Sequence, residues 1–299
     1  MAEKLSLQRW IRQAQAEHTS LYAIGLRHQT KMMEITAEEL LGKMSMALKV
    51  MEESIQTGLL GKRSKGGLVG GDALRMQNQF QSQPEQSVTG PIVNRAVTFA
   101  LAVGEANACM GRIVAAPTAG ASGVLPGVLF ALAETKGFSR EELVAPLLVA
   151  GMIGMVIAER ASLSGASGGC QAECGSAAAM AAGAIVSLLH GSPEQIGDAA
   201  AIALKNMLGL VCDPVAGLVE VPCVKRNAGA AAQALVAAEM ALAGIKSVIP
   251  VDQVIDAMGE IGRCMHTSLK ETAQGGLAVS PAGLEKASQM GRCCSSEYK

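Results

Sequence analysis

Three cysteines, Cys170, Cys212 and Cys223, carry the clearest chemical signal in this 299-residue chain. Cys170 lies in SGASGGCQAECG, a Gly/Ser-rich loop that starts at Ser164, delivers a second cysteine, Cys174, and then opens an Ala-rich helix. Loop amides and a helix N-terminus stabilise thiolate. A small-residue turn that lets two helices touch explains the same segment equally well. Cys212 and Cys223 bracket CDPVAGLVEVPC, where Pro214 and Pro222 keep the backbone out of helix, and Lys225 and Arg226 then put positive charge beside Cys223. That mixture does not read as plain core. Three thiolates on loops can hold a 4Fe–4S cluster and leave one iron open to act as a Lewis acid on a hydroxyl. A closed zinc site takes four ligands, and Cys174 can be the fourth. The spacing matches neither a ferredoxin pattern nor a zinc ribbon, so both readings stay open.

Two further loops can complete a site. APTAGASGVLPG, from Ala116, offers the Thr118 and Ser122 hydroxyls and the Gly123 amide to a carboxylate, although Ser122 reads equally as an ordinary helix N-cap. KETAQGGLA, from Lys270, puts charge ahead of a Gly pair and says little by itself. No general base stands out. His18, His28, His190 and His266 have no metal-ligand spacing and read as packed or surface histidines. GKRSKGG, from Gly61, lacks the spacing of a phosphate loop, and nothing near its lysines supports a pyridoxal-phosphate site. Cys109 and Cys264 sit among apolar residues and read as small buried side chains.

The elements that must position these loops are helical. Hydrophobic residues make up 49% of the chain but aromatics only 2%, and there are 34 glycines. Ala, Val, Leu, Ile, Met and Gly in that balance predict a mainly α fold, a compact bundle of small-residue-rich helices with functional Gly-rich loops, and argue against a β-sandwich or barrel. Capping boxes at Thr36, Ser139 and Ser192 open three of the helices. Residues 227–243 and 251–265 also read as helical, and 218–221 and 276–279 as short extended segments. One catalytic domain over 1–299 is expected. It divides into an N-terminal helical part (1–57), a long loop with at most one short helix (58–90) and a cluster-binding helical core (91–299).

A formal net charge of −1 provides no basic field for nucleic acid or an anionic membrane surface. Mean hydropathy is +0.30, so membrane insertion has to be weighed. The apolar run 143–158 is bounded by Glu142 and Glu159, interrupted by Pro146, Gly151 and Gly154, and shorter than the roughly 18–20 residues a bilayer requires. A buried core helix is expected, with no membrane partner. Residues 1–9 carry mixed charge and no hydrophobic signal region, so the expected location is the cytoplasm, where cysteines stay reduced.

On PTAGASGVLPG, SGGCQAECG, CDPVAGLVEVPCVKRNA and KETAQGGLA, which occur in family order between Ser87 and Ala278, the chain resembles the iron–sulfur L-serine dehydratases, specifically the α chain of their two-subunit form. The resemblance implies a 4Fe–4S cluster held by Cys170, Cys212 and Cys223, with Cys174 ranked second to Cys170. It implies L-serine as substrate, β-elimination of water to give pyruvate and ammonia, and a separate β subunit. Lys225 or Arg226 is then expected to pair with the substrate carboxylate, and Thr118, Ser122 and Gly123 to hydrogen-bond it. The base is expected from this chain or from β. The terminal pair Cys293 and Cys294 reads either as two thiols without a role or as a cap on the open iron. A related lyase such as a cysteine desulfidase, or a metal-stabilised helical scaffold, is the competing reading.

Overall fold

The computed structural model describes residues 4–296 and the side chains of 4–291. Cys293 and Cys294 therefore lie outside the described side chains. Among the described residues thirteen helices run in chain order: α1 (Leu7–Ala16), α2 (Leu21–Met33), α3 (Ala37–Gly58), α4 (Asp72–Ser82), α5 (Gly90–Ala108), α6 (Val124–Lys136), α7 (Val144–Arg160), the single turn α8 (Gly165–Gly168), α9 (Ser176–Leu188), α10 (Pro193–Lys205), α11 (Cys223–Leu242), α12 (Val251–Cys264) and α13 (Pro281–Ser296). Among the described residues there is no β-strand; an isolated parallel bridge joins Cys212 to Lys270. The fold is mainly α, as composition requires.

Helix α9 is the centre. Its sequence, SAAAMAAGAIVSL, is apolar or small on every face, and every residue but Ser187 is buried. A helix without a polar face has to be surrounded, and α7, α10, α11 and α6 do so. Alanine and glycine give these helices little side-chain bulk to keep them apart, which is how the core fills with so few aromatic residues. Leu, Ile and Val from the neighbours, including Leu129, Val149, Ile153 and Val156, complete it; each contributes about 1.5–3 kcal/mol on burial.

The capping boxes at Thr36 and Ser192 form as expected, and Ser139 and Glu142 exchange the same pair of bonds ahead of α7. Residues 141–143 make a 3-10 turn continuous with α7, so 141–160 is long and apolar enough to cross a membrane by length and composition alone. Its length therefore excludes nothing; it is placed by packing against α9, α2, α3 and α12. The N-terminal helices lie on the same core. The Leu7 amide and Ser6 hydroxyl both donate to the Asp252 carboxylate of α12, at 3.0 and 2.5 Å.

The structure sharpens one expectation and corrects two others. The segment 58–90, expected as a long loop with one short helix, contains the 11-residue helix α4. The reason is tertiary: the carboxylate of Glu105, buried on α5, accepts the N–H groups of Gly71, Asp72 and Ala73 at 3.0, 2.8 and 3.3 Å. This caps a helix whose own N-cap, Gly71, has no side chain to offer. Residues 276–279 form a 3-10 turn, not an extended segment, and 218–221 form bends and a turn. Cys264 is exposed and Cys109 only partly buried, so neither is the core cysteine its neighbours suggested.

Candidate active site

The cysteine motifs meet because polar side chains lace their backbones together. Gly169 has φ +75°, and a Cβ there would lie 2.7 Å from the Met265 sulfur and 2.8 Å from the Leu210 carbonyl, so only glycine turns the chain into Cys170 at this point. A π-helical turn, Gln171–Gly175, follows and runs into α9; such turns recur at functional sites. Its fully buried Gln171 accepts the Gly209 N–H at 2.9 Å and donates to the Met258 carbonyl at 3.2 Å, while its own amide donates to Leu210 at 2.9 Å. The segment that delivers Cys212 is thereby fixed against the turn that carries Cys170. The Cys212 amide donates to the Leu269 carbonyl, and the Glu271 amide donates to the Cys212 carbonyl, both at 2.8 Å. This draws in KETAQGGLA.

Cys223 is not on a loop: it is the first residue of α11, directly after Pro222. One turn later Asn227 donates to the carbonyls of Cys223 and Gly120, at 2.9 and 2.6 Å, and accepts the Gly123 N–H at 2.9 Å. One buried amide thus joins the PTAGASG loop to the Cys223 helix. Asp213 accepts the Leu277 N–H at 2.8 Å and faces Arg226 at 2.9 Å.

Cys170, Cys174, Cys212 and Cys223 are all buried and act on one another electrostatically. Burial pushes the Cys223 thiol up to about 12, reinforced by Cys170 and Glu173. Burial, then Glu173, Cys170 and Glu271, push Cys212 up further. Cys170 goes the other way: the Cys174 S–H donates to it, and the Arg226 guanidinium adds positive charge, so its thiol is lowered. Cys174, as that donor and in a buried position, is raised.

Three of these thiols, Cys174, Cys212 and Cys223, are thus raised, and Cys170 alone is lowered. Among the described residues no three His, Cys, Asp or Glu side chains form a group that could hold one metal ion. The thiols of Cys170, Cys212 and Cys223 are buried on hydrogen-bonded supports, and thiols are the ligand type that both a 4Fe–4S cluster and zinc take. Three buried hydroxyls, of Thr118, Ser122 and Ser176, also lack hydrogen-bond partners, as polar groups waiting for a ligand do.

The substrate-binding and catalytic candidates separate in space. The Thr118 hydroxyl lies beside Glu173 and favours its charged form, though it aligns with no partner in a full hydrogen bond. Ser122 is fully buried and unpartnered. The Gly123 amide is taken by Asn227, and a Cβ there would sit 2.4 Å from the Ala100 carbonyl, so this glycine is part of the scaffold under the loop. Arg226 is half-buried, donates to the Val211 carbonyl at 2.7 Å, and pairs with Asp213; it clasps the Cys212 segment to α11 next to Cys170. Lys225 points elsewhere. Its side chain is 66% exposed and pairs with Asp72 at the start of α4, 3.3 Å away.

Sequence reasoning missed Glu173, Glu271, Gly165 and the role of Asn227. Burial raises the Glu173 carboxyl, and Glu271 raises it further. A Cβ on Gly165 would meet the Cys212 sulfur at 3.0 Å, Glu173 Oε2 at 3.0 Å and Glu271 Oε2 at 3.2 Å, so three polar groups from separate motifs converge on a glycine. One available signal was the lone acidic residue between two cysteines in CQAEC, immediately before an uncharged helix.

Fold and site define a class: a helical chain whose glycine-rich loops bring buried thiols and carboxylates to one locus. The family model described as serine dehydratase alpha chain matches residues 3–278, and the chain belongs to that family. A relative from Bacillus subtilis, named as a probable L-serine dehydratase alpha chain, is 54% identical over 260 residues, 87% of this chain and 86% of its own length. The L-serine dehydratase alpha chain of Peptoniphilus asaccharolyticus is 43% identical over 264 residues, covering 88% of this chain and 90% of its own. L-serine dehydratase 2 of Escherichia coli is 40% identical over 280 residues, 89% of this chain but 60% of its own length.

Proposed function

We propose that this chain is the catalytic α subunit of an L-serine dehydratase, a cytoplasmic lyase that converts L-serine to pyruvate and ammonia, working with a separate β subunit and with neither nucleic acid nor membrane as partner. The observation that carries this reading is the convergence of Cys170, Cys212, Cys223, Glu173 and Glu271 on one locus, in a chain of this family. Cys170, Cys212 and Cys223 would hold a 4Fe–4S cluster, and when bound it would supply, at an iron without a protein ligand, a Lewis acid for the substrate β-hydroxyl.

The chain's own residues do the rest. The orphaned Thr118 and Ser122 hydroxyls would hydrogen-bond the substrate carboxylate. Arg226 keeps positive charge beside Cys170 and fixes the Cys212 segment. Asn227 holds the PTAGASG loop at a set distance from α11. Removal of the α-proton by a base, with loss of the β-hydroxyl as water, gives aminoacrylate. Tautomerisation to an imine and hydrolysis then yield pyruvate and ammonia. A placed base is worth about 10²- to 10⁴-fold, and it comes from this chain or from the β subunit.

Anaerobic purification with the β chain tests this directly. About four irons and four acid-labile sulfides per α chain, with pyruvate formed from L-serine, are expected. Zinc without sulfide, or no pyruvate from a cluster-loaded complex, refutes the reading. Sulfide release from L-cysteine exceeding pyruvate formation from L-serine would replace it with a desulfidase.

A further inference from the structure

We propose that Glu173 and Glu271, whose carboxylates meet beside the Cys212 sulfur next to Gly165, form the seat for the substrate's α-ammonium group and so restrict the site to amino acids. The inference rests on the serine-deamination reading and specifies which group of the substrate this corner of the site recognises.

Four observations carry it. First, the two carboxylates come from different loops, the CQAEC turn and KETAQGG, and are aimed at the same place. A Cβ on Gly165 would lie 3.0 Å from Glu173 Oε2 and 3.2 Å from Glu271 Oε2. Second, the Cys212 side chain is buried and points its sulfur at that same spot, 3.0 Å from the Cβ position. The seat therefore adjoins one of the thiols assigned to the cluster and is not a separate acidic patch. Third, neither carboxylate carries an ion pair among the described residues, and the guanidinium beside Cys170, Arg226, is committed to Asp213 and Val211. Two facing carboxylates without a cation repel each other; an ammonium between them removes the repulsion and donates a hydrogen bond to each. Fourth, Glu173 lies beside the Thr118 hydroxyl, which the proposed function assigns to the substrate carboxylate. A 2-amino acid has its ammonium and carboxylate on one carbon, so their two recognition sites must be adjacent, as these are. A side chain at position 165 would crowd all three of these atoms, which keeps the position glycine.

The test uses the α–β complex, purified anaerobically, with Glu173→Gln and Glu271→Gln in the α chain. Equilibrium dissociation constants are measured for L-serine and for 3-hydroxypropanoate, which keeps the carboxylate and the hydroxyl but lacks the ammonium. Iron and sulfide are counted in every sample. The expected result is a loss of L-serine affinity of about 10- to 100-fold in each variant, unchanged or tighter binding of 3-hydroxypropanoate, and wild-type iron content. Equal weakening of both ligands, or wild-type L-serine affinity in both variants, overturns the proposal. Should Glu173→Gln lose its iron, the exposed Glu271 decides; loss of iron in both would make the carboxylates supports of the thiol set and would also overturn it. Failure of the parent reading looks different: the wild-type complex would itself make no pyruvate from L-serine.

Discussion

Glu105 and Glu173 are both carboxylates taken out of water, both are raised by that burial, and the fold treats them in opposite ways. Glu105 accepts three backbone N–H groups from the start of α4. Its charge sits at the positive end of a helix, and its cost of burial is offset by bonds that hold a structural element in place. Glu173 receives no backbone N–H among the described residues; its neighbours are a second carboxylate, a thiol and a hydroxyl. Burial alone therefore does not mark a functional acid. The partners do: three backbone N–H groups make Glu105 architecture, whereas Glu173 faces a second carboxylate, Glu271, that no cation of the described residues pairs.

The comparison can be broken from either end. The largest effect is expected at the thiols. Cys212→Ser should leave the helix content measured by circular dichroism unchanged, yet remove stable iron and sulfide and essentially all pyruvate formation. Retention of a full cluster would detach this region from the assigned chemistry. Next is Glu105→Ala, which strands three amides of the α4 start and should cost roughly 1–3 kcal/mol in urea unfolding. Amide exchange at Gly71, Asp72 and Ala73 should quicken, and the L-serine affinity of the folded complex should not move. Glu173→Gln should show the reverse pattern, with no loss of stability and the affinity change described above; a destabilised Glu173→Gln would erase the contrast.

A smaller effect comes from pH. The Glu105 carboxyl is raised above its ordinary 4.5, so the folded chain holds this proton to higher pH than the unfolded chain does. The contribution is complete below the unfolded value and is lost as pH rises through the folded one. The stability of the wild type relative to Glu105→Gln should therefore fall with rising pH across that window, in paired urea titrations; a difference that grew with pH would reverse the sign of the shift. The smallest effect is expected from Lys225→Met. Removing its exposed pair with Asp72 should cost about 0–1 kcal/mol and leave kcat/KM at the wild-type value, whereas a large fall in kcat/KM would return Lys225 to the site.

The parts of this protein legible in its sequence are those whose signals are local. The capping boxes at Thr36 and Ser192 need only four consecutive residues, and both form. The helical class follows from an apolar composition with few aromatic and many small residues. The thiols stand out because each lies among Gly, Pro and Ser that no plain core helix would carry. Proline, by contrast, was over-read. Pro222 does not keep Cys223 out of helix, because a residue that cannot donate a hydrogen bond is well tolerated where a helix begins.

What only the tertiary structure decided rests on partners far apart in the chain. Helix α4 exists where a Gly/Gln-rich segment promised little because Glu105, 33 residues from Asp72, caps it. Asn227 joins a loop 107 residues away to the Cys223 helix. Adjacent Lys225 and Arg226 look interchangeable as a string, yet successive helix positions point about 100° apart, and one faces α4 while the other faces the thiols. Glu173 becomes a candidate only when Gly165, Glu271 and Cys212 arrive beside it. A chain fixes the chemistry of each side chain and its nearest hydrogen bonds. Packing, driven by burial of the apolar helix faces, fixes which charges end up without partners.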